Sequence, residues 1–311
     1  MTNSFDFSPY DCIGFDLDNT LAEYNEKELI ILIYNILANS MVNNYNYDPV
    51  YLLKPVIDDI DFIRKGLTID IERGNVINLG VDGTVLRATH GTRPLSTTEI
   101  EEMYGPDKTW NIAIQHCDDF LITWNGQLSE KIRSCLDYFD MCVPLLFARS
   151  VDSVANQSQP PNNVWMHVSN SIVSMFKKEN HANKCGGYYD ALLLNPSKYI
   201  KKRSPDFLSW ISSLRAANKI IFLITGSDFD YGSFIAHSAL GPDWEKYFDV
   251  IIYYARKPGF FAQCRDFKVV GSEENIPPEK LQLGKSYREG NWTNLCQLFA
   301  RCLKKDPKCL Y

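Results

Sequence analysis

Residues 11–20 read DCIGFDLDNT, an apolar run that ends in two aspartates, Asp16 and Asp18, with Thr20 two positions further on. Tyr10–Phe15 shows no clean alternation of apolar and polar residues. That is the pattern of a central strand covered on both faces. A strand that ends by projecting paired carboxylates into a loop suits phosphate and magnesium chemistry.

The chain beyond this stretch first turns helical. Leu29, Leu32, Ile33, Ile36 and Leu37 recur at helical spacing, which predicts a helix over Glu26–Asn39. Pro49 and Pro55 break the segment after it. Residues 60–95 read instead as short strands with tight turns, with Val81-Asp-Gly83 as a hairpin turn. Ser96–Tyr104 reads as a short helix stopped by Gly105-Pro106, and Phe120–Trp124 as a short strand. Leu128–Ala148 is a long amphipathic run interrupted by Pro144. Residues 153–163 form the best internal linker, and Trp165–Asn180 is a further predicted helix. Lys184–Tyr189 reads as a Gly-Gly turn and Asn195–Arg203 as a polar stretch.

From about residue 205 strands and helices alternate. Helices are predicted over Pro205–Ala217, Phe229–Leu240 and Leu295–Leu303. Strands are predicted over Lys219–Ile224 and Val250–Tyr254, and another opens at Lys308. This spacing predicts a mostly parallel sheet with helices on both faces. The long interval between the strand near residue 12 and the one near 221 is too large for a loop and reads as an inserted domain. The expected division is residues 1–25 with 205–311 as a discontinuous core, and 26–204 as the insertion.

The bulk properties narrow the class. The 311 residues suffice for two domains, and the net charge of −6 with scattered Lys and Arg argues against a nucleic-acid face. No basic start or apolar leader opens the chain, and Leu29–Tyr34, its longest near-apolar stretch, is too short to cross a membrane. A cytoplasmic protein is therefore expected. The nine cysteines include no CxxC pair and read as reduced, mainly buried small hydrophobes.

Three groups fall at predicted strand ends, where open α/β sheets bind ligands. They are Asp16 with Asp18, Thr225-Gly226-Ser227, and Lys257. Asp16, nearest its strand, is the candidate nucleophile, and Asp18 the candidate acid and base. Thr225 and the backbone N–H groups after it would hold phosphoryl oxygens at a helix start. Lys257 would steady phosphate and carboxylates together, and Mg2+ would bridge Asp16 and phosphate. His90 is expected to fix a loop, and Trp165, Trp210 and Trp244 to pack.

These residues carry a family likeness. Gly14-Phe-Asp-Leu-Asp-Asn-Thr-Leu-Ala-Glu-Tyr24 and Ala255-Arg-Lys-Pro-Gly-Phe-Phe261 resemble the first and third motifs of the haloacid-dehalogenase-like phosphohydrolases. Arg64-Lys-Gly-Leu, Arg73-Gly-Asn75, Ala88-Thr-His-Gly91 and Leu283–Gly290 narrow the resemblance to the cytosolic purine 5'-nucleotidase group. The resemblance implies a haloacid-dehalogenase-like doubly wound, mostly parallel sheet with a large α+β cap between the first two motif-bearing strands. It implies magnesium-dependent hydrolysis of a small phosphomonoester, a nucleoside monophosphate first, through an aspartyl-phosphate on Asp16. It implies phosphate contacts at Thr225, Gly226, Ser227 and Lys257, and magnesium on Asp16 and the Asp18 backbone carbonyl. Gly226 stands where the purine enzyme has an asparagine. Arg149 and Asp152 lie in a segment the group uses near its substrate. In that group the strand opening at Lys308 runs into a Gly-Asp loop carrying the other magnesium carboxylates, so further ligands are expected beyond Tyr311. The 311 residues as written are expected to bind magnesium poorly and to be weak or inactive. A non-catalytic scaffold and a phosphotransferase are the alternative readings.

Overall fold

A computed structural model describes residues 5–119, 126–155, 161–177, 179–180 and 187–311. The expected strand at Phe120–Trp124 and the centre of the 153–163 linker lie outside the described residues. The chain divides into two compact units. One runs to Asn25 and resumes from Ala191 to Tyr311; the other begins at Glu26 and ends at Asp190. The first unit opens with β1 (Cys12–Phe15) and β2 (Glu23–Tyr24). The second contributes β3 (Leu67–Asp70), β4 (Asn75–Leu79), β5 (Val85–His90), β6 (Arg93–Pro94) and β7 (Ile132–Cys135). The first then adds β8 (Ile200–Lys201), β9 (Ile220–Ile224), β10 (Val250–Tyr253) and β11 (Phe267–Val269). It closes with β12 (Asn275–Ile276), β13 (Lys285–Glu289) and β14 (Cys309–Leu310).

The first unit holds a seven-stranded sheet in the order β12-β11-β13-β10-β9-β1-β14. The five strands from β13 to β14 are parallel, and β11 and β12 are antiparallel at the edge. Strand β9 (IIFLI) is buried along its whole length, as a strand covered on both faces must be. Phe222, Ile224, Val250, Ile252 and Phe299 form one face of the core. Gly14 is required here by packing, because a Cβ on it would lie 2.2 Å from the Phe222 ring. Strand β13, KSYRE, was not expected from the sequence. Among its five residues only Tyr287 is buried, and pairing with β10 holds the polar remainder.

The second unit carries an antiparallel sheet in the order β6-β5-β4-β3-β7. Its helix Glu26–Tyr45 buries Leu29, Ile33, Leu37 and Met41, four residues apart on one face, and runs past the expected end at Asn39. Helix Thr97–Tyr104 starts with a capping box, Ser96 receiving the Glu99 N–H and Glu99 receiving the Ser96 N–H. The run Leu128–Ala148 is not one amphipathic element. It divides into β7 and a helix, Val143–Val154. Pro144 sits in that helix's first turn, where its missing N–H costs nothing, so it starts a helix rather than interrupting one.

The expectation of mainly buried cysteines is only partly met. Cys12, Cys135 and Cys142 are buried, whereas Cys117, Cys264 and Cys302 are exposed. No helix among the described residues is long and apolar enough to cross a membrane.

Candidate active site

Parallel strands all end on the same edge of a sheet, so the loops after β1, β9 and β10 open side by side. Asp16 follows β1 directly and is partly exposed. Its Oδ1 receives the Leu17 N–H at 2.8 Å and lies 2.8 Å from Lys257 Nζ. Its Oδ2 has no hydrogen-bond partner among the described residues. One carboxylate oxygen is thus anchored while the other is left open.

Lys257 is placed by the loop after β10. Tyr254 and Arg256 flank that turn with left-handed φ values of 47° and 54°. Non-glycine residues held there cost on the order of 1–3 kcal/mol each, and such positions cluster at functional sites. Backbone bonds from Ala255 N to Thr225 O and from Tyr254 N to Ser227 O lace this loop to the one after β9. The ammonium has three acceptors: Asp16 Oδ1, Tyr311 Oη at 2.8 Å and the Ile224 carbonyl at 3.3 Å. Burial works to lower its pKa, but the adjacent Asp16 carboxylate and Tyr311 outweigh that and hold Lys257 above its ordinary value. Burial pushes the Tyr311 phenol up in turn.

Asp18 receives two hydroxyls. Tyr24 Oη donates to Oδ1 at 2.6 Å and Ser227 Oγ donates to Oδ2 at 2.7 Å. The loop between Asp18 and Tyr24 is closed by Arg203, which donates to the Thr20 and Leu21 carbonyls and pairs with Glu23.

The expected phosphate contacts separate in an informative way. Thr225 is fully buried, and its Oγ1 accepts the Ser227 N–H at 3.1 Å. Ser227 turns its hydroxyl to Asp18. Gly226 is exposed, with open space where a Cβ would stand. The segment leads into the helix Phe229–Leu240, whose first turn presents N–H groups toward the same loop.

Arg149 and Asp152 belong to the second unit and are consumed within it. The five N–H groups of Arg149 go to Asp59 Oδ2 twice, Tyr34 Oη, and the Lys54 and Pro55 carbonyls. Asp152 accepts the N–H and hydroxyl of Thr92. Beside it Gly91 has φ +54°, and a Cβ there would fall 1.8 Å from Asp152 Oδ1. His90 binds Asn75 Oδ1 through Nδ1 at 3.0 Å, in keeping with a structural role.

Sequence reasoning passed over Tyr24, Arg203 and the Tyr311 phenol. Tyr24 lies within the family-like motif, but nothing in its local pattern marks it for chemistry.

Magnesium takes hard oxygen ligands, commonly one or two carboxylates together with phosphate and water. The Asp16 carboxylate supplies oxygen of that kind. Among the described residues no group of three or more His, Cys, Asp or Glu is disposed to hold a metal.

A parallel sheet extended by antiparallel edge strands, with acidic and basic groups at its strand ends, is consistent with a haloacid-dehalogenase-like arrangement. The profile of the 5' nucleotidase family matches residues 1–305, and the chain belongs to that family. It is 36% identical to 5'-nucleotidase domain-containing protein 1 of Bos taurus, over 100% of this chain and 69% of that protein. The Homo sapiens protein of the same description is 34% identical, with 68% of its length covered. 5'-nucleotidase domain-containing protein 2 of Rattus norvegicus is 26% identical, with 54% of its length covered.

Proposed function

We propose that the chain is the catalytic part of a magnesium-dependent phosphomonoester hydrolase with Asp16 as nucleophile and a nucleoside monophosphate as the first candidate substrate. The observation that carries this is the asymmetry of Asp16, with Oδ1 held by Leu17 N–H and Lys257 and Oδ2 open. A fixed carboxylate with one unengaged oxygen is a prepared nucleophile.

In the first half-reaction Asp16 Oδ2 bonds to phosphorus and the P–O bond to the alcohol breaks. The electron pair stays on the leaving oxygen, which takes a proton from Asp18. In the second half-reaction water bonds to the same phosphorus, Asp18 takes the water's proton, and the acyl-phosphate P–O bond breaks to restore Asp16. The Lys257 ammonium offsets charge on the carboxylate and the transferring group. The exposed Gly226 backbone and the helix start after it suit phosphoryl oxygens. Magnesium would be held by Asp16 and the Asp18 carbonyl, and would neutralise phosphate charge.

The test is phosphate release from a panel of nucleoside monophosphates, with magnesium and with EDTA. It uses this chain and a version extended in its reading frame. Release that needs magnesium and vanishes in Asp16→Asn supports the proposal. Folded proteins silent on the whole panel would overturn it in favour of a non-catalytic role.

A further inference from the structure

The surroundings of Asp18 say more than its identity does. Its two carboxylate oxygens are gripped from opposite sides by residues on different elements. Tyr24 stands on β2, which pairs antiparallel with β8 through Glu23–Lys201 and Tyr24–Ile200. Ion pairs of Glu23 with Lys201 and Arg203, and the bond from Asn25 N to the Tyr199 carbonyl, hold that strand. Tyr24 is 1% exposed, so its ring has one place to be. Ser227 comes from the loop after β9, where its N–H is bound to Thr225 Oγ1.

A lone carboxylate on a loop turns freely about its last torsion, where the preference is broad. A hydroxyl on each oxygen removes that freedom, because any large rotation breaks one bond of 2.6 Å or 2.7 Å. Proton transfer needs the carboxyl oxygen within hydrogen-bond reach of the reacting oxygen, so orientation is part of the rate.

We propose that Tyr24 and Ser227 are positioning residues that hold the Asp18 carboxyl plane for proton transfer to the leaving oxygen and from water. This rests on the reading of Asp16 as nucleophile and Asp18 as acid and base. The arrangement accommodates both protonation states. Each carboxyl oxygen has room for a second hydrogen-bonding partner, so with both hydroxyls still donating, a protonated Asp18 keeps its own O–H free to point at the leaving oxygen. The Tyr24 hydroxyl also lies 3.4 Å from that of Tyr231. The proposal also reassigns Ser227, whose hydroxyl serves the acid rather than the phosphate.

The test separates substrates by their need for an acid. 4-Nitrophenolate leaves phosphorus without a proton, whereas the alkoxide of adenosine 5'-monophosphate needs one. kcat/KM is measured on both for the wild type, Y24F, S227A, S227T, D18N and D16N in the full natural protein. Positioning residues lower kcat/KM for the nucleotide by about tenfold or more relative to the nitrophenyl ester, within the range of acid catalysis. S227T, which keeps a hydroxyl, recovers part of the loss. Equal losses on the two substrates in Y24F and S227A, with D18N still discriminating between them, would overturn the proposal alone. Turnover retained in D16N, or absent from the wild type on both substrates, would overturn the underlying reading and take the proposal with it.

Discussion

The two units treat polar side chains in opposite ways. In the first, Asp16, Asp18 and Lys257 gather part-exposed at the ends of β1 and β10 and leave an oxygen of Asp16 open. In the second, several polar groups are buried and satisfy each other. Arg149 is 1% exposed with every N–H engaged. Asp70 is wholly buried and receives Tyr104 and Arg73. Thr68, Ser134 and His116 form a buried chain, with Ser134 Oγ 2.6 Å from each neighbour. Strand direction explains much of this. Parallel strands send successive loops out at one edge, where side chains from distant parts of the sequence converge on solvent. Antiparallel strands send neighbouring loops to alternate edges, so polar residues between sheet and helix must find partners locally or carry a desolvation penalty.

The most severe test of this contrast is Asp16→Asn. If the open oxygen is the nucleophile, steady-state phosphate release should fall by about 10^4-fold or more while the fold persists in circular dichroism. Retained turnover would erase the distinction between the units.

Arg149→Ala attacks the other side. It strips Asp59 and two carbonyls of their donors, and urea unfolding should show the second unit weakened by about 3–5 kcal/mol. Arg149→Lys should recover little, since three donors cannot replace a fork of five. A change below about 1 kcal/mol would mean that water replaces the guanidinium readily.

Tyr104→Phe is a smaller cut into the same logic. It removes the phenol that donates to Asp70 and receives Asn75. A cost of about 1–3 kcal/mol is expected from the unsatisfied buried groups, read as a shift in denaturation midpoint.

Asp140 gives the mildest effect. Burial raises its carboxyl to about 6 from an ordinary 3.8. The folded state therefore binds a proton that the unfolded chain has already released, and this group's contribution makes stability fall as pH rises from about 4 to about 6. Asp140→Asn should stabilise the second unit most at pH 7, with the gain closing toward pH 4. A gain independent of pH would remove the cause assigned to it.

Much of the first unit could be read before folding. The apolar runs Ile220–Ile224 and Val250–Tyr253 announced buried strands, and Asp16 and Asp18 were legible as paired carboxylates following one. Strand β13 could not be read, because KSYRE has neither alternation nor an apolar run and exists through its pairing with β10. Pro144 was legible as a helix boundary but not as to side, since proline both ends and begins helices. The expected reach of Arg149 and Asp152 toward substrate came from the family likeness of their segment. Where their hydrogen bonds go depends on Asp59 and Thr92, distant in sequence.

The amino-acid sequence by itself determined the backbone periods, the parallel sheet they build, and the chemistry-bearing residues at its strand ends. These follow from local spacing and side-chain type. The tertiary structure alone decided that Ser227 binds Asp18, that Lys257 divides its protons among Asp16, Tyr311 and the Ile224 carbonyl, and that Asp16 keeps one oxygen open. A hydroxyl or an ammonium goes to whichever acceptor lies within about 3 Å. That set of neighbours exists only once distant strands have been brought together.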